Sequence, residues 1–192
     1  MAEVVDTLRE EHRNIARLLR ALEHQVAIFS NADTPDYDVI VGVADYFLDY
    51  PDRCHHPKED AIARRLREAH GVEALDVDLA REHRGLHDLA LGFRHAVAAL
   101  LAETDIPRQA IVDAGYRFID QQRRHMQYEE TSFLPLAEGL LGPEDWRAIE
   151  AEIATRADPV FGDRVEAAFR TLSERLLAWE AEDAQDEGSG RG

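Results

Sequence analysis

The chain has 192 residues, of which 45% are hydrophobic, enough to bury the core of one domain. Its 39 acidic residues outnumber its 22 basic ones, which gives a formal net charge of −17 at pH 7. This charge excludes general binding to nucleic acids and to anionic membranes, because both require a positive surface. The single cysteine, Cys54, excludes an internal disulfide framework and any site built from several cysteines.

The first residues of the chain, MAEVVDTLREEHRN, are charged from position 3 onward and lack the apolar segment of a secretory signal. No apolar run approaches the ~18 to 20 residues that a helix needs to cross a bilayer. The sequence therefore predicts a soluble protein of the cytoplasm.

Four long segments have the composition and periodicity of helices. Leu, Ala, Glu and Arg dominate, and alternating runs of β-branched residues are absent, which predicts an all-α fold. Breaks rich in glycine, proline and small polar residues separate segments 4–29, 37–69, 75–103 and 108–137. Because the connections are short, the simplest packing is an up-down-up-down four-helix bundle over residues 1–140.

The C-terminal part of the chain differs from the bundle. Residues 141–181 are predicted to form an extension of two shorter amphipathic helices, at about 143–157 and 162–180. Their apolar faces are expected to pack against the bundle or against a second copy of the chain, which would give a homodimer. The last residues, 182–192, read EDAQDEGSGRG and predict a disordered tail.

Apolar residues recur every three or four positions along each long segment and define the face that points into the bundle. The first stripe contains Val5, Leu8, His12, Ile15, Leu19, Leu22, Val26 and Phe29. The second contains Val41, Ala44, Leu48, Pro51, His55, Glu59, Ile62 and Leu66. The third contains Leu79, His83, Leu86, Ala90, Phe93, Val97 and Leu100. The fourth contains Ile111, Gly115, Phe118, Gln122, His125, Glu129, Ser132 and Leu136.

The histidines on these stripes also share one height in the bundle. In an up-down bundle, the loops after the first and third helices lie at the same end. His12, His55, His83 and His125 are each 17 to 20 residues from that end. At the rise of an α-helix these depths are roughly 26 to 30 Å, so they agree within about one turn.

Three pairs of metal-binding residue types lie four positions apart, which places both members of each pair on one helix face. The pairs are His55 with Glu59, His83 with His87, and His125 with Glu129. With His12 they supply five imidazoles and two carboxylates, a donor set that suits iron, manganese, zinc or copper. Seven donors exceed the needs of one tetrahedral zinc and predict two metals bridged by carboxylates.

Several assignments stay open at this point. His56 competes with His55, because Pro57 disfavours helical geometry at the residue before it and shifts the local register. Glu130 competes with Glu129. His87 is one position off the apolar stripe, so a place on the surface or behind a ligand is the alternative to binding the metal. Tyr50, one turn before His55, is a candidate to donate to a bound oxygen species or to bind iron.

These motifs resemble the hemerythrin-like, or HHE cation-binding, family over roughly residues 4–137. The matching segments are EHRNI at 11–15, HHPKED at 55–60, REHRGLH at 81–87 and HMQYEETSFLP at 125–135. The resemblance implies a hemerythrin-like four-helix bundle around a non-haem di-iron site, with two iron ions per chain. Its terminal ligands would be His12, His55, His83, His87 and His125, and its bridging carboxylates would be Glu59 and Glu129.

The resemblance also implies a function. A protein of this family is expected to bind or sense dioxygen, nitric oxide or peroxide, or to act as a di-iron oxidoreductase in detoxification or in the repair of iron centres. The spacing from His125 to Glu129 is similar to hemerythrin-like regulators, iron sensors and repair proteins, whereas paired histidines on the third helix are a feature of oxygen carriers. A ferritin-like site is disfavoured, because that class needs Glu-x-x-His on two helices. A structural bundle with an empty or zinc-filled site is the remaining alternative.

Overall fold

The structure, a computed structural model, describes residues 2–71, 78–153 and 157–189, with the backbone alone from residue 184 onward. The described residues form helices and the turns between them, which confirms the all-α prediction. The helices are α1 (Glu3–Ser30), α2 (Tyr37–Tyr50), α3 (His56–His70), α4 (Leu79–Leu101), α5 (Arg108–Tyr128), α6 (Leu134–Leu140), α7 (Pro143–Glu152) and α8 (Arg170–Ser189). No helix among the described residues is both long enough and apolar enough to span a membrane.

Two five-residue π turns join helices end to end. The first, Pro51–His55, connects α2 to α3, and the second, Glu129–Phe133, connects α5 to α6. The predicted second and fourth helices are therefore each a composite of two α-helices and a π turn. The third helix was predicted to begin at residue 75. Residues 75–77 lie outside the described residues, and α4 begins at Leu79.

The helix ends follow from local chemistry. The carboxylate of Asp36 accepts hydrogen bonds from the backbone N–H groups of Asp38 and Val39 at the start of α2, and Asp78 accepts one from Arg81 at the start of α4. Gly71 ends α3 with φ of 57°, a left-handed conformation that glycine adopts without steric cost.

The long helices pack in a closed ring. Helix α1 contacts α2 and α5, and α4 contacts the same two helices from the other side. The stripe predicted for the first helix is confirmed, since all its members are buried. The third stripe is buried from Leu79 to Val97, and Leu100 is half-buried.

The second and fourth stripes slip by one residue, and the π turns explain the slip. Before the first π turn the buried side chains include Val43, Phe47 and Tyr50, which lie off the predicted stripe, whereas Val41 and Leu48 of that stripe are only half-buried and Ala44 alone of its α2 members is fully buried. A π turn holds one residue more than an α turn, because its hydrogen bonds run from residue i to residue i−5. The extra residue rotates the helix, so the inward stripes on its two sides are out of register.

A proline follows each π turn at the same place. The closing hydrogen bonds run from the N–H groups of His56 and Leu134, and the next residues are Pro57 and Pro135. A proline in an α-helix lacks an N–H and its ring collides with the carbonyl four residues earlier, so a wider turn before it relieves the collision. The sequence signal for the slip was therefore present in both prolines.

The slip at the second π turn can be measured by mutation. Phe133 is fully buried, whereas Ser132, which the straight-helix stripe placed inside, is exposed. We expect Phe133→Ala to lower the free energy of unfolding by about 3 to 5 kcal/mol through loss of burial and the cavity left behind. Ser132→Ala should change it by no more than about 0.5 kcal/mol. Denaturant unfolding of both variants decides the register, and the reverse order would contradict it.

The C-terminal helices pack against the bundle of the same chain. Ile149 of α7 is buried against α3, and Leu172 and Leu176 of α8 are buried against α2. At Gly42 of α2 an added Cβ would lie 3.0 Å from the Cβ of Leu172, so this glycine permits the close approach of α8. For the apolar faces of the extension, the sequence predicted packing either on the bundle or on a second copy of the chain, and the structure shows packing on the bundle.

The limits of the extension differ from those predicted. Helix α7 is described only to Glu152, and residues 154–156 of the predicted helix lie outside the described residues. Helix α8 begins at Arg170, after a 3-10 turn at Ala167–Phe169, and its backbone stays helical to Ser189. The segment from 182, predicted to be disordered, therefore continues a helix, and residues 190–192 are not described.

Candidate metal centre

A layer of polar side chains crosses the bundle between two apolar clusters. The cluster on the side of the α1–α2 loop includes Ile15, Phe47 and Phe118, and the cluster on the other side includes Leu8 and Phe133. The polar layer consists of His12, His55, His56, Glu59, His83, His125 and Glu129, each at most 7% exposed. Apolar packing above and below keeps bulk water from this layer.

The layer contains two groups of potential metal ligands. The two-histidine group consists of His12, His55, Glu59 and Glu129, and the three-histidine group consists of His56, His83, His125 and Glu59. Within each group one donor atom per residue lies within 4.8 Å of the others. Glu59 belongs to both groups, so the two positions are adjacent.

The two carboxylates face both groups. Glu59 places Oε1 3.3 Å from Nε2 of His55 and Oε2 3.3 Å from Nε2 of His83. Glu129 places Oε2 3.3 Å from Nε2 of His12 and Oε1 2.9 Å from Nε2 of His125. Each carboxylate therefore directs one oxygen to a histidine of each group, so both could hold metal ions at the two positions.

The donor atoms of this layer lack ordinary partners. Among the described residues, the buried atoms without a hydrogen bond are Nε2 of His12, His83 and His125, Nδ1 of His83, and both carboxylate oxygens of Glu59 and Glu129. Leaving buried polar atoms unpaired costs free energy, most of all for two carboxylates. Donors around one metal at roughly 2.1 Å lie about 3 Å apart when at right angles, close to the separations seen here. The residues present thus fit a pair of metal ions.

Carboxylates also lie behind the imidazoles. The nitrogen Nδ1 is hydrogen-bonded to Glu130 at 2.7 Å in His12, Glu11 at 2.9 Å in His55, Asp52 at 3.1 Å in His56 and Glu82 at 3.0 Å in His125. In His83, Nδ1 makes no hydrogen bond, and the nearest carboxylate, that of Asp60, lies 3.4 Å away. A carboxylate behind Nδ1 fixes the orientation of the ring and leaves Nε2 for a metal. This is the arrangement around metal-binding histidines generally.

The structure gives the positions of the residues that the sequence left as alternatives. His55 and His56 both enter the layer, one in each group, because they lie where the first π turn joins α3. Of the two adjacent glutamates, Glu129 lies inside and Glu130 lies behind His12. The sequence offered His55 and His56 as alternatives, and the register shift at Pro57 that raised this choice is the π turn that brings both residues into the layer.

His87, predicted to be a ligand, lies outside both groups. Leu86 takes the inward position of α4, and the side chain of His87 is 38% exposed. Its Nδ1 lies 2.6 Å from Oδ2 of Asp52, whose other oxygen faces His56. His87 therefore contacts the layer only through Asp52, the carboxylate behind His56.

Comparison with known families identifies this arrangement. Residues 3–137 match the hemerythrin HHE cation-binding domain. The chain belongs to this hemerythrin family. Neither the curated proteins nor the solved structures contain a match to the chain.

The match ends within α6, so the hemerythrin domain supplies every residue of the polar layer. Helices α7 and α8 follow it in the chain and pack on the domain.

Protonation of the hemerythrin site follows from its charges. Burial lowers the pKa of its histidines, but the nearby carboxylates outweigh burial and raise the pKa of His12 and His83 to about 11 and that of His125 to about 9. In His56 burial dominates and lowers the pKa to about 4. Burial and the charge of Glu59 act to raise the pKa of Glu129, yet its histidine neighbours lower it to about 2.

These values predict that metal binding releases protons. At pH 7 the metal-free protein holds His12, His83 and His125 in their protonated forms, and each must lose its proton to become a ligand. The carboxylates of Glu59 and Glu11 raise the pKa of His55 as well, so we expect three or more protons released per chain, and an apparent metal affinity that rises with pH until it passes the pKa values of about 9 to 11. Calorimetric metal titration at pH 7 in two buffers of different ionisation enthalpy measures this number, and identical heats in both buffers would contradict it.

Two open pockets lead to the hemerythrin site from opposite seams of the bundle. One of about 460 Å³ lies between α3 and α4 and is lined by Asp52, His56, Asp60, His83, Arg84, His87 and Asp88 among others. One of about 440 Å³ lies between α1 and α5 and is lined by Arg9, His12, Arg13, Arg123 and Glu130 among others. The first has mainly acidic side chains, whereas each arginine of the second is paired with a glutamate, Arg9 with Glu138, Arg13 with Glu10 and Arg123 with Glu23.

Proposed function

We propose that the hemerythrin domain binds two iron ions per chain, one at the two-histidine group and one at the three-histidine group. The observation that supports this most directly is the shared position of Glu59, whose two buried oxygens lack hydrogen bonds and face histidines of different groups. Imidazole with carboxylate is a donor set that iron accepts.

We further propose that this centre binds or senses a small molecule such as dioxygen, nitric oxide or peroxide. With Glu59 and Glu129 serving both groups, the two-histidine group offers four protein ligands and the three-histidine group five, so an external ligand has more room at the first. Reduced iron supplies the affinity for such molecules. The chain contributes the orientation of the imidazoles, the exclusion of bulk water by two apolar clusters, and an opening beside His12.

Anaerobic reduction followed by exposure to dioxygen tests this function. We expect an absorption spectrum that forms on exposure and reverts when dioxygen is removed. Rapid oxidation to a stable ferric state would contradict reversible binding and favour the alternative, a di-iron oxidoreductase that consumes peroxide or nitric oxide or repairs iron centres. Repeating the exposure with nitric oxide and with peroxide ranks the three ligands.

A cytoplasmic location and a homodimer through α7 and α8 stay predictions. For the dimer, the support is Leu177 of α8, whose apolar side chain is 59% exposed. Sedimentation of the purified protein, with Leu177→Ser as the variant, measures the oligomeric state.

A further inference from the structure

A buried polar network lies behind His55, on the side away from the metal site. Glu11 accepts hydrogen bonds from Nδ1 of His55 at 2.9 Å and from the hydroxyl of Tyr50 at 2.8 Å, and it pairs with the ammonium of Lys58. All four residues are at most 6% exposed. A buried carboxylate with three donors has a fixed position, because any movement breaks bonds that water does not replace.

The other outer carboxylates of the site differ from Glu11. The side chains of Glu130, Asp52, Asp60 and Glu82 are 31 to 46% exposed. Water can replace their contacts at little cost. The orientation of His55 is thus held by the interior of the protein, whereas the other imidazoles are oriented by partners at the surface.

The network continues to the C-terminal extension. The ring of Tyr50 stacks on that of Tyr46, with centroids 5.4 Å apart, and the Tyr46 hydroxyl donates to Oδ2 of Asp158 at 2.8 Å. Oδ1 of Asp158 accepts the backbone N–H groups of Val160 and Phe161, which fixes the carboxylate in its own loop. Asp158 is 8% exposed and lies beyond residues 3–137, the extent of the hemerythrin domain.

We propose that Asp158 is a positioning residue for His55, which acts through Tyr46, Tyr50 and Glu11, so that the C-terminal extension tunes the two-histidine half of the metal site. The inference rests on the proposed binding of two metal ions. Asp158 holds Tyr46, the stacked rings hold the hydroxyl of Tyr50 against Glu11, and Glu11 holds the ring of His55. The three-histidine half has no residue in this network.

The test is titration of the metal-free protein with Co²⁺ under anaerobic conditions, for the full chain and its Asp158→Asn variant. The visible absorption of each bound ion reports its own ligand geometry. We expect Asp158→Asn to weaken one of the two equivalents about tenfold and to shift its absorption, since outer partners change metal affinity by about 10- to 100-fold. The other equivalent should bind as in the unmodified protein.

Two further variants separate the positioning of His55 from a general effect of anchoring the C-terminal extension to the bundle. Tyr46→Phe removes one hydroxyl and keeps the ring, so it should fold and show the same shift even if Asp158→Asn does not fold. Glu180→Gln is the matched control, because Glu180 also anchors the extension to the bundle, through Arg17 at 2.7 Å, but lies outside the network. It should leave both equivalents and their spectra unchanged.

The outcomes distinguish the two proposals. If Asp158→Asn and Tyr46→Phe bind both equivalents with unchanged affinity and spectra, the positioning role is wrong, even where the free energy of unfolding falls. The same shift in Glu180→Gln would also overturn it, because any loosening of the extension would then suffice. An unmodified protein that binds fewer than two Co²⁺ ions would instead overturn the proposed two-metal function on which the inference rests.

Discussion

Replacing Glu59 with glutamine is expected to remove both metal ions from the protein. Glu59 belongs to both ligand groups, is fully buried, and faces Nε2 of His55 with one oxygen and Nε2 of His83 with the other. Glutamine keeps the shape but loses the charge and one of the two oxygens. After expression with excess iron, metal analysis should fall from about two ions per chain to well below one.

The loss of metal should also appear in stability. A ligand that binds only the folded state adds about 2.7 kcal/mol per site at a free concentration of 100 times its dissociation constant. Chelation should therefore destabilise the unmodified protein by several kcal/mol and leave the Glu59→Gln variant unchanged.

The matched control for this variant is Glu68→Gln, the same change at an exposed position of α3. It should keep two ions and the full response to chelation. Two ions retained in Glu59→Gln would show that this carboxylate does not bridge the groups.

Alanine variants of His55, His56 and His87 are expected to differ in how many metal ions they bind. His56→Ala should lose the ion of the three-histidine group, and His55→Ala that of the two-histidine group, so each variant should hold about one ion per chain. His87→Ala should keep two, because His87 reaches the site only through Asp52. Metal analysis and the Co²⁺ spectrum of each variant measure these outcomes.

The opposite pattern of metal loss would contradict this assignment. If His87→Ala loses an ion while His56→Ala keeps both, then the assignment from the sequence is right and α4 presents His87 inward when metal is bound. Unfolding by denaturant, measured without metal, shows whether any loss of metal reflects a loss of folding.

Periodicity carried much of the sequence prediction. The strict alternation of apolar residues in α1 placed Val5 through Phe29 on the buried face and His12 among them, and all are buried. Equal depth in the bundle then placed His12, His55, His83 and His125 in one layer, which the structure also shows. These features depend only on the regular geometry of an α-helix.

The features that the sequence did not predict depend on departures from regular α-helix geometry. A π turn adds one residue, so it rotated His56 into the layer and moved Phe133, not Ser132, to the inside. His87 lies outside both ligand groups for another reason, since spacing four from His83 places it near the layer but Leu86 fills the inward position. Contacts between distant segments, such as Tyr46 with Asp158, leave no periodic signal at all.

The most direct test of the account is the iron content of the protein together with X-ray absorption at the iron edge. The shared position of Glu59 predicts about two iron ions per chain, coordinated by nitrogen and oxygen, with a second iron at roughly 3.5 to 4 Å from the first. One isolated ion without an iron neighbour, or no iron after expression with excess iron, would contradict the two-metal centre.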